Sequence, residues 1–255
     1  MHPYFNLFGL HIPAYGVMLV LGIAAGLILA VLWSCKKYGI RLSDFFFFAI
    51  YALIGALIGS KLLYIVVELP RILSNPNVLL SFITGGSVFY GGLIGGALGG
   101  LRYAHRYRLH KLEMLDIAAP SLALGQAFGR VGCYLSGCCY GAPSDSPLAV
   151  VYPKGSYAPA GVPLLPVQLL ESAFLVLLSV LLLLILKHSR KKGTTCGWYL
   201  VLYAVWRFAI EFFRADPRGD ILFLSTSQAI SILLAVAGAF LLLRNSSPKE
   251  KSPES

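Results

Sequence analysis

The run VQLLESAFLVLLSVLLLLIL, Val167–Leu186, decides the fold. It has the length, about twenty predominantly apolar residues, that one helix needs to cross the hydrocarbon core of a bilayer. Six further apolar segments flank it at Tyr15–Trp33, Phe45–Val67, Ser87–Tyr103, Leu115–Phe128, Trp198–Phe213 and Ile221–Leu243. The fourth in chain order, Leu115–Phe128, is short and interrupted by glycine, which predicts a half-helix or re-entrant element. A hydrophobic content of 57% with 13% charged residues, and a mean hydropathy of +0.75, exclude a soluble domain. The expectation is an all-α polytopic membrane protein with about seven transmembrane helices.

A net charge of +10 raises the question of nucleic acid, but the basic residues sit at segment ends and form no basic face. Anionic lipid headgroups and topology account for them, and no nucleic acid partner is expected. Fourteen Lys and Arg fall after segments one, three, five and seven, against five on the opposite side. That bias predicts the N-terminus outside and the C-terminus in the cytoplasm. No basic stretch precedes the first segment, so a cleaved signal peptide is not expected. Residues 1–243 are read as one transmembrane domain with a small extracytoplasmic loop region around 129–166. Residues 244–255, rich in Ser, Pro, Lys and Glu, read as a disordered cytoplasmic tail.

Several residues resist a purely apolar reading. Arg207 and Glu211 lie four apart within the sixth segment, on one helix face, with Tyr203 one turn earlier. A central arginine in a spanning helix costs about 2.5–3.5 kcal/mol on insertion scales, so it needs a partner or a polar cavity. Either the pair orients two helices, or Glu211 aims Arg207 at an anionic ligand. Lys61 in the second segment is a further polar candidate that also has the length to snorkel to the outer interface. Glycine pairs at 91/92, 95/96 and 99/100 recur every four residues and form a stripe for close helix approach, with Tyr90 at its start. Gly22/Gly26 and Gly55/Gly59 are shorter stripes of the same kind.

The stretch GRVGCYLSGCCYG, Gly129–Gly141, sets Arg130 beside Cys133, Cys138 and Cys139 on the outer side, where disulfides persist. These cysteines read as reactive thiols, a disulfide pair with one thiol left, or small packed hydrophobes. A zinc site wants four ligands, usually in pairs, and no second pair exists, so no metal is expected. Cys35 and Cys196 fall at cytoplasmic segment ends as inert thiols.

In order, these pieces resemble the prolipoprotein diacylglyceryl transferase family. IPAYGVMLVLG is similar to its first-helix tyrosine–glycine pattern, and GSKLLYIV to its GGR-x-x-Y helix, with Lys61 at the usual arginine. GGSVFYGGLIGG resembles GG-x-x-x-HGGLIG, and DIAAPSLALGQAFGRVGCYLSGCCYG resembles D-x-x-AP…G-x-GRxGNFxNGE-x-x-G. PLLPVQLLESA, YAVWRFAIEFFR and SQAISI resemble HPxQLYE, Y-x-x-x-R-x-x-x-EFFR and GQxLSI. The resemblance implies an enzyme of the bacterial inner membrane, facing the extracytoplasmic leaflet. Such an enzyme moves the diacylglyceryl group of phosphatidylglycerol onto the lipobox cysteine of prolipoproteins, with no cofactor. It further implies that Arg130 holds the lipid phosphate, and that Arg207, braced by Tyr203 and Glu211, serves catalysis. Arginine suits phosphate because its planar fork bonds two oxygens and stays charged.

Three positions depart from the pattern. Tyr90 stands at the family's histidine, Cys133 at its asparagine and Cys138 at its glutamate. Tyrosine, with a pKa near 10, donates a hydrogen bond but is a poor base at neutral pH. Two alternatives accompany the transferase reading: a paralogue using phospholipid with cysteine-dependent chemistry, and a non-enzymatic lipid-binding or lipid-moving protein.

Overall fold

The computed structural model describes residues 4–7, 10–74, 88–215, 220–221 and 224–246. A hairpin of β1 (Tyr4–Leu7) and β2 (Leu10–Pro13) leads into α1 (Ala14–Leu29). That helix runs on through a π-helical turn, Ala30–Ser34, into α2 (Cys35–Tyr38). Then follow α3 (Leu42–Ser74), α4 (Phe89–Arg106), α5 (Lys111–Ser136) and α6 (Val167–His188). The chain ends with α7 (Thr194–Ile210), a 3-10 turn at Glu211–Phe213, and α8 (Thr226–Ser246). Gly85 and Gly86, read as the break before the third segment, and residues 247–255 of the expected tail lie outside the described residues.

Each apolar segment contains a long helix, but the seventh starts later than expected: Asp220–Ile221 and Leu224–Ser225 are extended and pair with each other, and the helix begins at Thr226. Among the described residues, five stretches are long and apolar enough to cross a membrane: Ala14–Tyr38, Leu42–Ser74, Val167–His188, Thr194–Phe213 and Thr226–Arg244. The helices α4 and α5 are not among them. Glycine pairs dilute the apolar surface of α4, and α5 carries Lys111, Glu113, Asp116 and Arg130. Along α3, Leu57, Leu62 and Val66 are exposed, as hydrocarbon-facing side chains are.

The fourth segment is not broken. It lies inside the continuous 26-residue helix α5, which carries Arg130 and Cys133 in its last two turns. Its glycines serve contact instead of a break. A Cβ on Gly22 would stand 2.9 Å from the Gly125 carbonyl oxygen, and one on Gly132 would stand 3.1 Å from the Tyr15 ring. The carbonyl of Pro120, in mid-helix, accepts a hydrogen bond from Ser179 Oγ at 2.8 Å.

The chain forms two compact units, residues 38–114 and residues 1–37 with 115–255. In the first, α3 and α4 run antiparallel with backbones touching: Gly55 faces Gly95, Gly59 faces Gly91, and Tyr51 faces Gly99. A Cβ on Gly95 would lie 2.2 Å from the Gly55 oxygen, so only glycine permits this approach. Val88 N–H donates to the Ser60 carbonyl at 3.2 Å where α4 begins.

In the second unit, Ala119, Ala123 and Ala127 of α5 pack on Leu175, Leu178 and Leu182 of α6 and on Tyr199 of α7. Ser172 Oγ donates to the Ala127 carbonyl at 3.0 Å, tying α6 to α5 beside the site. Asp116, fully buried, accepts the Gly193 and Cys196 N–H groups at 2.6 and 2.8 Å and so caps the start of α7. Lys37 donates to the Leu186 and Ser189 carbonyls at the end of α6, a helix terminus that favours a cation. Close packing of α7 on α8 centres on Gly197 and Gly238, where a Cβ on Gly238 would lie 2.8 Å from the Gly197 oxygen.

Candidate active site

Within the second unit, three arginines and two glutamates from five successive elements form one network around the buried Glu171 and Arg207. The unbroken end of α5 delivers Arg130, and the second turn of α6 delivers Glu171. The end of α7 delivers Arg207, the 3-10 turn Glu211, and the extended residue after it Arg214. Arg130 Nη2 lies 2.9 Å from Glu171 Oε1, and Arg214 Nη1 lies 3.9 Å from Glu171 Oε2. Glu171 is 1% exposed, so its carboxylate is stable only because two guanidiniums face it. Arg207 Nη2 lies 2.8 Å from Glu211 Oε2 and donates to Ser227 Oγ at 2.8 Å. Arg207 also feels the charges of Glu171, Arg214 and Arg130, which makes the five groups one electrostatic cluster.

The expected pairing of Arg207 with Glu211 is present, and tightening the helix to a 3-10 turn at Glu211 leaves it intact. Tyr203, expected beside Arg207, lies within electrostatic reach of both Arg130 and Arg207. Buried Nη1 of Arg207 has no hydrogen-bond partner among the described residues. A guanidinium held on one side by Glu211 and Ser227, with its other amino group unused, is prepared to bond an anion.

Cys133, Cys138 and Cys139 come together, with all three sulfurs within 4.8 Å of one another. They are thiols, not a disulfide. The end of α5 explains the convergence: Gly137 takes φ 76° and closes the helix, and the chain then turns again at Cys139 with φ 62°. Cys138 N–H donates to the Cys133 carbonyl at 3.1 Å. Gln168 Nε2 donates to the Cys138 carbonyl at 2.7 Å and to Tyr152 Oη at 3.1 Å, which ties the loop to the start of α6. Hydrogen bonds from the Cys133 and Cys138 thiols, with the charge and hydrogen bond of Arg214, hold Cys139 below the usual thiol range. Cys138 moves the other way, raised by its hydrogen bonds to Cys133 and Cys139 and by burial.

Lys61 and Tyr90 belong to the other unit. Each lies next to the Ser60–Val88 junction, at one end of the α3–α4 hairpin. The side chain of Tyr90 lies outside the described residues.

Sequence reasoning did not single out Glu171, Arg214, Gln168 or Ser227. A signal for Glu171 was present: a lone carboxylate in an otherwise apolar spanning run marks a site by its cost. Arg214 closes the quoted YAVWRFAIEFFR block, Ser227 opens SQAISI, and Gln168 and Glu171 lie in PLLPVQLLESA, so the blocks that carry the resemblance contain all four.

Residues 3–244 match the sequence model of the family described as prolipoprotein diacylglyceryl transferase. The phosphatidylglycerol–prolipoprotein diacylglyceryl transferase of Clostridium tetani is 42% identical over 236 residues, covering 92% of this chain and 94% of its own length. Phosphatidylglycerol–prolipoprotein diacylglyceryl transferase 2 of Clostridium perfringens is 40% identical over 92% of each chain. A transferase of the same name from Dehalococcoides mccartyi is 36% identical over 96% of this chain and 94% of its own.

Proposed function

The chain belongs to the prolipoprotein diacylglyceryl transferase family, and from that premise we propose that it transfers the diacylglyceryl group of phosphatidylglycerol to the lipobox cysteine thiol of prolipoproteins. This is the first step of bacterial lipoprotein modification. The cysteine sulfur attacks the glycerol carbon next to the phosphate, forming a thioether. The carbon–oxygen bond breaks, its electron pair stays on the phosphate oxygen, and glycerol phosphate leaves.

Such a displacement needs positive charge held where the leaving phosphate gains it, in a site poor in water. Arg207 carries this reading: a guanidinium 7% exposed, fixed by Glu211 and Ser227, with Nη1 unpartnered among the described residues. Arg130, braced by Glu171 and with Tyr203 in its electrostatic reach, holds the phosphate of the bound lipid. The thiol proton passes to Glu211 or to a thiolate of the cysteine cluster.

The protein is a multi-pass inner-membrane enzyme with seven spans, its N-terminus outside, its C-terminus cytoplasmic and its site open to the extracytoplasmic leaflet. The distribution of Lys and Arg supports that orientation. Purified protein given phosphatidylglycerol and a lipobox peptide raises the peptide mass by one diacylglyceryl group and releases glycerol phosphate. No mass shift, under conditions in which a histidine-bearing relative works, sinks the reading.

A further inference from the structure

The three gathered thiols occupy positions where the resembled family pattern needs none, and transfer as described above does not consume them. Their placement is built. Cys133 is fixed on the last turns of α5, while Cys138 and Cys139 are returned to it by the left-handed residues Gly137 and Cys139. Cys139 takes φ 62°, a region that a residue with a side chain seldom adopts unless its surroundings impose it. A side chain on Gly137 is excluded by Ser156, whose Cβ would lie 2.8 Å away. Gln168, 1% exposed, locks the Cys138 carbonyl from the far side. The loop is therefore preorganised, and all three sulfurs fall within 4.8 Å of one another.

We propose that Cys133, Cys138 and Cys139 form a three-thiolate site for one soft monovalent metal ion, copper(I). Metal–sulfur bonds of about 2.3 Å around a trigonal ion put the sulfurs about 4 Å apart. Small side-chain rotations bring the observed cluster to that spacing. Thiolate ligands select soft ions, and three ligands without a fourth suit copper(I) better than structural zinc, which takes four. Among the described residues, the group that can hold an ion consists of these three cysteines alone. Charge fits as well. Three thiolates around a monovalent ion carry two negative charges, and Arg214, bonded to Cys139, and Arg130, in electrostatic reach of Cys133 and Cys139, offset them. Binding forms three metal–sulfur bonds and releases the protons those thiols carry. No electron is transferred.

The test uses the full chain in detergent under anaerobic conditions, loaded with copper(I) and challenged with a copper(I) chelator. The wild type and Cys35→Ser retain one copper per chain. Cys133→Ser, Cys138→Ser and Cys139→Ser each lower the affinity at least tenfold, with thermal melting of each variant confirming its fold. X-ray absorption on the copper-loaded wild type shows three sulfur neighbours and needs no variant. Copper retained equally by the protein lacking all three cysteines overturns the proposal. So does a first shell of fewer than three sulfurs, or a wild type that gives its copper up as readily as the variants.

Discussion

Replacing Arg207 with lysine keeps the charge and removes the fork. In the structure, Nη2 serves Glu211 and Ser227, both at 2.8 Å, while Nη1 is left for the substrate. A lysine ammonium satisfies Glu211 and Ser227 from one point but offers no second planar donor in the direction of Nη1. The loss is thus one charge-assisted hydrogen bond to the phosphate, about 1.5–3 kcal/mol. At about 1.36 kcal/mol per decade, kcat/KM falls about ten- to 150-fold. If Nη1 bonds the phosphate oxygen only as charge develops on it, the fall is in kcat and KM for phosphatidylglycerol is unchanged. Initial rates with a lipobox peptide in lipid–detergent micelles, read by mass spectrometry, measure both constants. Melting curves recorded in parallel separate loss of chemistry from loss of fold. A lysine variant within twofold of wild type in kcat/KM would refute the role given to Nη1.

Glu171→Gln removes the carboxylate that two guanidiniums share and costs about 3 kcal/mol of stability, visible as a lowered melting temperature; an unchanged melting temperature counts against the network. Gly95→Ala drives a Cβ to 2.2 Å from the Gly55 oxygen and parts the α3–α4 hairpin, at a cost near the upper end of about 1–3 kcal/mol for overpacking. Gly92→Ala, whose Cβ meets nothing closer than 3.5 Å, leaves stability within about 0.5 kcal/mol, so equal effects at the two sites defeat the argument. Cys139, held below the usual thiol range by Cys133, Cys138 and Arg214, alkylates faster at pH 7 than Cys138, which is raised by its neighbours and by burial; equal rates at the two sites count against this order. The stability contributed by Cys139 is present above the unfolded thiol pKa and is lost as pH falls through its lower folded value.

The helices were legible because their signal is local. Val167, the first residue of the apolar run, is also the first residue of α6. The i,i+4 spacing of Arg207 and Glu211 forecast a contact that is present at 2.8 Å. The glycine pairs of α4 forecast close approach, and Gly55 and Gly59 provide its other face. What failed was the break expected in the fourth segment. Gly125 and Gly132 invite one, but whether a glycine ends a helix or admits a neighbour depends on what packs against it, and here α1 does. The sequence holds no record of that neighbour at the glycine itself.

The site was legible as residue types but not as a network. Glu171 lies 41 positions from Arg130 and 43 from Arg214, so no spacing rule connects them; the packing of α5 on α6 brings Arg130 to it, and the extended residue after the 3-10 turn brings Arg214. The same holds for the cysteines. Read along the chain, Cys138 stands where the resembled family pattern has a glutamate, a thiol in place of a carboxylate. The turn at φ 62° sets Cys139 beside Cys133 and Cys138 and within reach of Arg214, and these neighbours favour its thiolate. A carboxylate and a thiolate differ in softness, however, and only the thiolate lets the same three side chains close on a metal. The exchange therefore sets three soft ligand atoms together where the resembled pattern has one carboxylate.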